Sequence, residues 1–178
     1  AKCHFELSKG NRTTIEQSVE EEFDQSILLW HIATNLCYHG DWNTSPNSIK
    51  IPNCEASKLL SDYMLYLLVM RPIMLPNGIA QIRFQDTCAK AIEFFEERKS
   101  ISNENQACLK LLEVNTEILP SVVKGDRSKS VLFDGCRLAK SLLYLETQKQ
   151  WELISHVWVE ILCYAATKCR WNHHAQQL

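Results

Sequence analysis

The chain has 178 residues, 46% of them hydrophobic, with only five glycines and five prolines. That is enough for one domain with a sizeable core, and it excludes disordered, fibrous and low-complexity classes. Nineteen basic residues against 21 acidic leave a formal charge of -2, so no overall excess favours nucleic acid or an anionic membrane surface.

Eight cysteines are the unusual count, open at this point to disulfides, metal, catalysis or packing. The start, Ala1 to Phe5, carries no apolar run of signal-peptide length, so neither export nor an oxidising compartment is indicated. Two glycosylation sequons, Asn11-Arg12-Thr13 and Asn43-Thr44-Ser45, are short enough to arise by chance. The greasiest stretch, Tyr63 to Met70, ends at Arg71-Pro72, far short of the roughly 20 apolar residues that span a bilayer. The chain by itself reads as soluble.

Residues 1–22 read as a polar tail, with Glu20-Glu21-Glu22 placed to complement the dipole of the first helix. From Phe23 to Tyr38, Phe23, Ile27, Trp30, Ala33 and Cys37 recur every three or four positions, the spacing of one helix face. Gly40 is expected to end this helix, and Asp41 to Asn53, with Pro46 and Pro52, to be an exposed loop. A second helix runs from about Glu55 to Met70; its second half is apolar on every side, which predicts the central, most buried element. Arg71-Pro72 and Pro76-Asn77-Gly78 stop it. A third, about Ile79 to Lys99, carries the stripe Phe84, Cys88, Ala91, Ile92 and Phe95.

A short helix then holds Cys108, Leu111 and Leu112, and Pro120 and Gly125 bracket a loop. The fifth helix, about Ser128 to Glu146, is apolar at Leu132, Cys136, Ala139 and Leu143. The sixth, about Gln150 to Cys169, is apolar at Trp151, Ile154, Trp158, Ile161, Ala165 and Cys169. Nothing alternates convincingly with period two. The expected fold is all-α, an irregular bundle of five to seven helices without significant sheet, over residues 23–178.

Cys37, Cys88, Cys108, Cys136 and Cys169 fall on the apolar stripes, where a free thiol packs as a small hydrophobe. The metal-binding alternative centres on Cys163, Cys169, His173 and His174; Cys169 and His173 stand one helical turn apart, but no Cys-x-x-Cys pair accompanies them. No catalytic set is assigned. There is no nucleophile elbow, Ser155 and His156 point in different directions, and His31 and His156 read as boundary or surface histidines. The pairs Asp24 with Glu21 and Asp62 with Lys58 fit capping and surface pairing.

Lys124-Gly125-Asp126-Arg127-Ser128-Lys129-Ser130 joins a glycine turn, cap-forming residues and three cations at the start of a helix. Cations there are unfavourable unless Asp126 or a bound anion offsets them. Lys124, Arg127, Ser128, Lys129 and Ser130 are therefore the candidate anion or partner contacts, with Ser128 and Ser130 also candidate phosphorylation sites. The P-loop spacing is absent and no cofactor is expected. The basic, aromatic run Lys168 to His174 lacks the extended stripe that nucleic acid requires.

Four strings, Ser26-Ile-Leu-Leu-Trp-His-Ile-Ala-Thr34, Lys58-Leu-Leu-Ser-Asp-Tyr-Met-Leu-Tyr-Leu-Leu-Val-Met-Arg-Pro72, Gly125-Asp-Arg-Ser-Lys-Ser-Val-Leu-Phe133 and Trp158-Val-Glu-Ile-Leu-Cys-Tyr-Ala-Ala166, followed by Asn172-His-His-Ala175, resemble the plant domain of unknown function 594. The resemblance runs from about Phe23 to Leu178 and singles out Arg71, Asp126, Arg127, Lys129, His173 and His174 as shared polar positions. It implies a membrane-spanning region upstream, domain of unknown function 4220, with this stretch on the cytosolic side. It also implies that the domain continues into a further apolar helix that this chain lacks. The resulting expectation is a non-enzymatic interaction or regulatory module with a protein partner, an enzymatic or metal-binding domain being the alternative.

Overall fold

The structure, a computed structural model, describes residues 9–18, 21–44, 52–75, 79–97, 101–115 and 130–168. These form seven α-helices and no strand: α1 (Lys9–Ser18), α2 (Phe23–Thr44), α3 (Pro52–Met70), α4 (Ala80–Glu96), α5 (Glu104–Leu112), α6 (Val131–Leu143) and α7 (Thr147–Lys168). A single 3-10 turn, Pro72–Met74, follows α3. The expected all-α fold is borne out. No helix among the described residues is long and apolar enough to cross a membrane.

The centre of the bundle is α2, not the second half of α3. Ile27, Leu28, Leu29, Trp30, Ala33, Leu36 and Cys37 are all buried and surround the α2 axis, and α1, α3, α4, α5 and α6 all pack on it. On α3, by contrast, Met64, Leu67 and Leu68 face inward while Tyr63, Tyr66 and Met70 stay exposed. An all-round apolar sequence identifies a buried helix only when neighbours cover every side, and α3 has neighbours on one side only.

Gly40 does not end α2, which continues to Thr44. A Cβ at Gly40 would meet Leu112 Cδ1 at 3.5 Å and Leu143 Cδ2 at 3.6 Å, ordinary contact distances, so α5 and the end of α6 pack on α2 at this turn. Asp41, expected in an exposed loop, is buried on that last turn. It accepts hydrogen bonds from Trp151 Nε1 at 2.8 Å and Gln150 Nε2 at 3.1 Å. Two turns further along α7, Trp158 Nε1 donates to Thr34 Oγ1 at 2.9 Å. Two indoles on the α7 stripe are thus held by polar groups of α2, and this pins the register between the two helices. Pro52, also assigned to that loop, instead opens α3, where its missing N–H costs nothing.

Part of the stretch read as a polar tail is helical. In α1 the lone apolar residue Ile15 packs on the core and Ser18 is buried, against α6 and α2; one apolar residue is too few to show a period. On α4 the buried residue is Phe94, not the stripe residue Ile92, which is exposed. Phe94 reaches Phe133 of α6, ring centroids 6.1 Å apart, while Ala80, Phe84, Ala91 and Phe95 are only partly buried against the core, so the burial centre of α4 is rotated from the periodic stripe. The start of α5 is locally encoded: Asn103 Oδ1 accepts from Gln106 N at 2.9 Å, and the Gln106 side chain accepts from Ser102 N at 3.0 Å.

Of the stripe cysteines, Cys37, Cys88, Cys108 and Cys136 lie within the described residues and pack inward to differing degrees, and Cys169 lies outside them. Cys37, Cys54, Cys108 and Cys136 are buried free thiols, Cys88 is partly buried and Cys163 exposed. Burial raises the thiol pKa of Cys37 well above the ordinary value and pushes those of Cys54 and Cys136 up to about 12 and that of Cys108 to about 11.

Candidate functional site

A polar cavity of about 490 Å³ opens between the residues preceding α2, the first half of α4 and the start of α6. Ser130 stands at its α6 edge. Its extended backbone ends the preceding chain and its carbonyl accepts the first helical bond, from Asp134 N at 2.9 Å. The serine side chain makes no cap, however: it is buried, and its hydroxyl has no hydrogen-bond partner among the described residues. An orphaned hydroxyl beside the first-turn N–H groups of a helix is a polar arrangement suited to an acceptor ligand.

Arg83 forms the opposite wall. Its guanidinium bonds Gln25 Oε1 and the Glu22 carboxylate, and its Nε lies 3.5 Å from Asp24 Oδ2. That oxygen of Asp24 is buried and makes no hydrogen bond among the described residues, while the other accepts from Gln25 N at 3.0 Å. The side chain of Arg83 is only 16% exposed, so this ion pair fastens α4 to the beginning of α2 as well as lining the cavity. Lys90 supplies a second cation; Glu21, Asp86 and Asp134 supply carboxylates. Asp134 bonds Arg137 at 3.0 Å, and its burial raises its pKa against the opposing pull of Arg137 and Lys90.

Of the residues nominated from sequence, Ser130 alone of the basic run lies within the described residues, and it lines this cavity. Lys124, Arg127, Ser128 and Lys129 lie outside them, as do Cys169, His173 and His174. Cys163 is exposed on the outer face of α7. Among the described residues no group of three or more His, Cys, Asp or Glu side chains is placed to hold a metal ion. Since Ser130 is buried, a kinase would reach it only through local opening.

Sequence reasoning passed over Arg83, whose one signal is a charge beside the apolar stripe of α4. It also undervalued His31. The His31 ring spans α2 and α3, with Nδ1 2.8 Å from Ser61 Oγ and Nε2 2.9 Å from Asn35 Nδ2. Asp62 lies 4.0 Å from Nδ1. Burial holds the His31 pKa below the ordinary imidazole value despite that carboxylate. Lys58 and Asp62 pair at 2.6 Å as the spacing predicts, and His156 is exposed.

The fold and cavity define an all-α bundle with a polar cleft at a helix start. The family model described as "Protein of unknown function, DUF594" matches residues 145–178, the segment that contains α7, and bears out the family resemblance there. The strings Trp158 to Ala166 and Asn172 to Ala175 fall inside the match; the three upstream strings fall outside it. No curated protein and no solved structure matches the chain.

Proposed function

We propose that this chain is a non-enzymatic interaction or regulatory module that receives an acidic or phosphorylated segment of a protein partner at the cleft where α6 begins. The observation carrying this is the buried Ser130 hydroxyl, which has no partner among the described residues, at the first turn of α6, with Arg83 and Lys90 in the same cleft. The described lining alone holds more carboxylates than cations. Lys124, Arg127 and Lys129, with Asp126 among them, precede Ser130 within six positions of the sequence. An acidic group bound there would relieve the repulsion between these cations and the helix dipole. We propose further, from the family resemblance of the sequence alone, that the module is the cytosolic part of a plant membrane protein whose spanning region lies upstream.

The test uses calorimetry with a phosphoserine peptide, the same peptide without phosphate, and inorganic phosphate. Phosphate-dependent binding by the wild type, lost in Arg127→Glu/Lys129→Glu and weakened at least threefold in Ser130→Ala, is the expected result. Equal binding of the two peptides, or none by a folded wild type, would overturn the proposal.

A further inference from the structure

Two faces of α3 are apolar, and only one is used by the fold. Cys54, Ser57, Ser61, Met64, Leu67 and Leu68 face the bundle. Directly opposite run Ala56, Leu59, Tyr63, Tyr66 and Met70, continued past the helix end by Ile73, with successive spacings of three and four residues. All six are exposed, Leu59, Met70 and Ile73 by 71%, 63% and 69%. Alternating three-four spacing is the seam of a coiled coil, in which each apolar knob needs a hole on a facing helix. Scattered apolar residues on a surface mean little, but a continuous row along four helical turns is a contact surface.

The borders of the row select the partner. One border carries Glu55 and Asp62, a heptad apart and both exposed; the other carries Leu60 and Leu67, turned toward the bundle. Asp62 is engaged by the partly buried Lys58 one turn away on the same helix, its own side chain 49% exposed, and ion pairs that reach solvent contribute little. A second copy fits poorly. Antiparallel pairing would set Glu55 and Asp62 against their own equivalents, and parallel pairing would set them against leucines. An anionic bilayer surface is repelled by the same two carboxylates.

We infer that the outer face of α3 docks an amphipathic helix of a partner protein, one that presents apolar residues at three-four spacing and Lys or Arg along the edge facing Glu55 and Asp62. The occupant lies along the seam for about four turns, with Tyr63 and Tyr66 as the central anchors, since large aromatic side chains bury much area at low entropic cost. The seam is separate from the cleft at Ser130, and either site can fail without the other.

The experiment measures fluorescence anisotropy of two labelled 21-residue helical peptides carrying the same leucine seam, one with Lys and one with Glu along the flank. The wild type should bind the Lys peptide at least tenfold more tightly than the Glu peptide, and a scrambled Lys peptide should not bind. The uncharged change Tyr66→Ser/Met70→Ser, made at exposed positions and checked for an unchanged circular-dichroism spectrum, should abolish binding. Glu55→Lys/Asp62→Lys should reverse the preference. Binding that ignores flank charge or survives the serine changes overturns the inference. So does a Tyr66-dependent dimer in sedimentation, which would make the occupant a second copy, or Tyr66-dependent binding to phosphatidylcholine–phosphatidylserine vesicles without peptide binding, which would make it a membrane.

Discussion

A methyl group added at Gly135 would sit 2.6 Å from Ile32 Cγ2 and 2.8 Å from Ile32 Cβ. Carbon atoms in contact prefer about 3.5–4.0 Å, so Gly135→Ala cannot be absorbed where it stands. Rotating the Ile32 side chain moves Cγ2 but not Cβ, which is fixed to the α2 backbone; α2 and α6 must therefore separate. That crossing is the most extensive contact between helices among the described residues. Overpacking of a core costs typically about 1–3 kcal/mol, and the immovable Cβ places this case at or above the upper end. Alanine returns about 1 kcal/mol of helix propensity over glycine. The expected net loss is about 2 kcal/mol, a fall of about 4–8 °C in Tm for a chain of this size. Thermal and urea unfolding followed by circular dichroism measure it. Ile32→Ala removes Cγ2 but keeps Cβ, so the double variant should recover part of the loss, with a favourable coupling of at least about 0.5 kcal/mol. An unchanged or raised midpoint in Gly135→Ala, or strict additivity with Ile32→Ala, would refute the steric account.

Thr34→Val strands the buried Trp158 indole N–H and should cost about 1–3 kcal/mol by urea denaturation; a neutral outcome would mean the hydrogen bond does not hold α7. His31 is held below its ordinary pKa by burial. Stability tied to it is therefore complete above about pH 6.5 and is lost as pH falls through the depressed value. The wild type should lose more stability than His31→Gln between pH 7.5 and 5, and parallel curves would contradict this. For Asp41 the sign is opposite, because burial raises its carboxyl pKa against the Trp151 and Gln150 hydrogen bonds. Its stabilising effect is present at low pH and lost as pH rises through the raised value, so Asp41→Asn should gain relative to the wild type between pH 3.5 and 6. Native titration with a thiol reagent should lose one fast-reacting group in Cys163→Ser and none in Cys37→Ser or Cys136→Ser, as their burial requires.

Helices were legible wherever a stripe was long and one-sided. On α7, Trp151, Ile154, Trp158, Ile161 and Ala165 are all buried as their spacing requires. The cysteines on the stripes were equally legible, because a thiol beside leucine and phenylalanine on one face has no polar alternative. Punctuation was less dependable. Gly40 carries the residue type of a helix end, yet it lies inside α2, and the residue type by itself does not separate a helix interior from a C-cap. Of the candidate site, Ser130 was nominated for the basic run that precedes it; Arg83 and Asp24 were not, because their pairing joins residues 59 positions apart.

Taken alone, the sequence determines the helical class, the main helices and most of their inward residues, since periodicity is a property of each segment by itself. Which helix becomes the centre is a property of how the segments pack, and only the tertiary structure decides it. The contrast between α2 and α3 shows why. Both are apolar on more than one face, but α2 is enclosed by α1, α3, α4, α5 and α6, whereas α3 meets the bundle on one face and leaves Leu59, Tyr63, Tyr66 and Met70 in water. Apolar content shows which surfaces gain from burial; the number of neighbours that reach them decides which are buried within the chain and which are left to a partner.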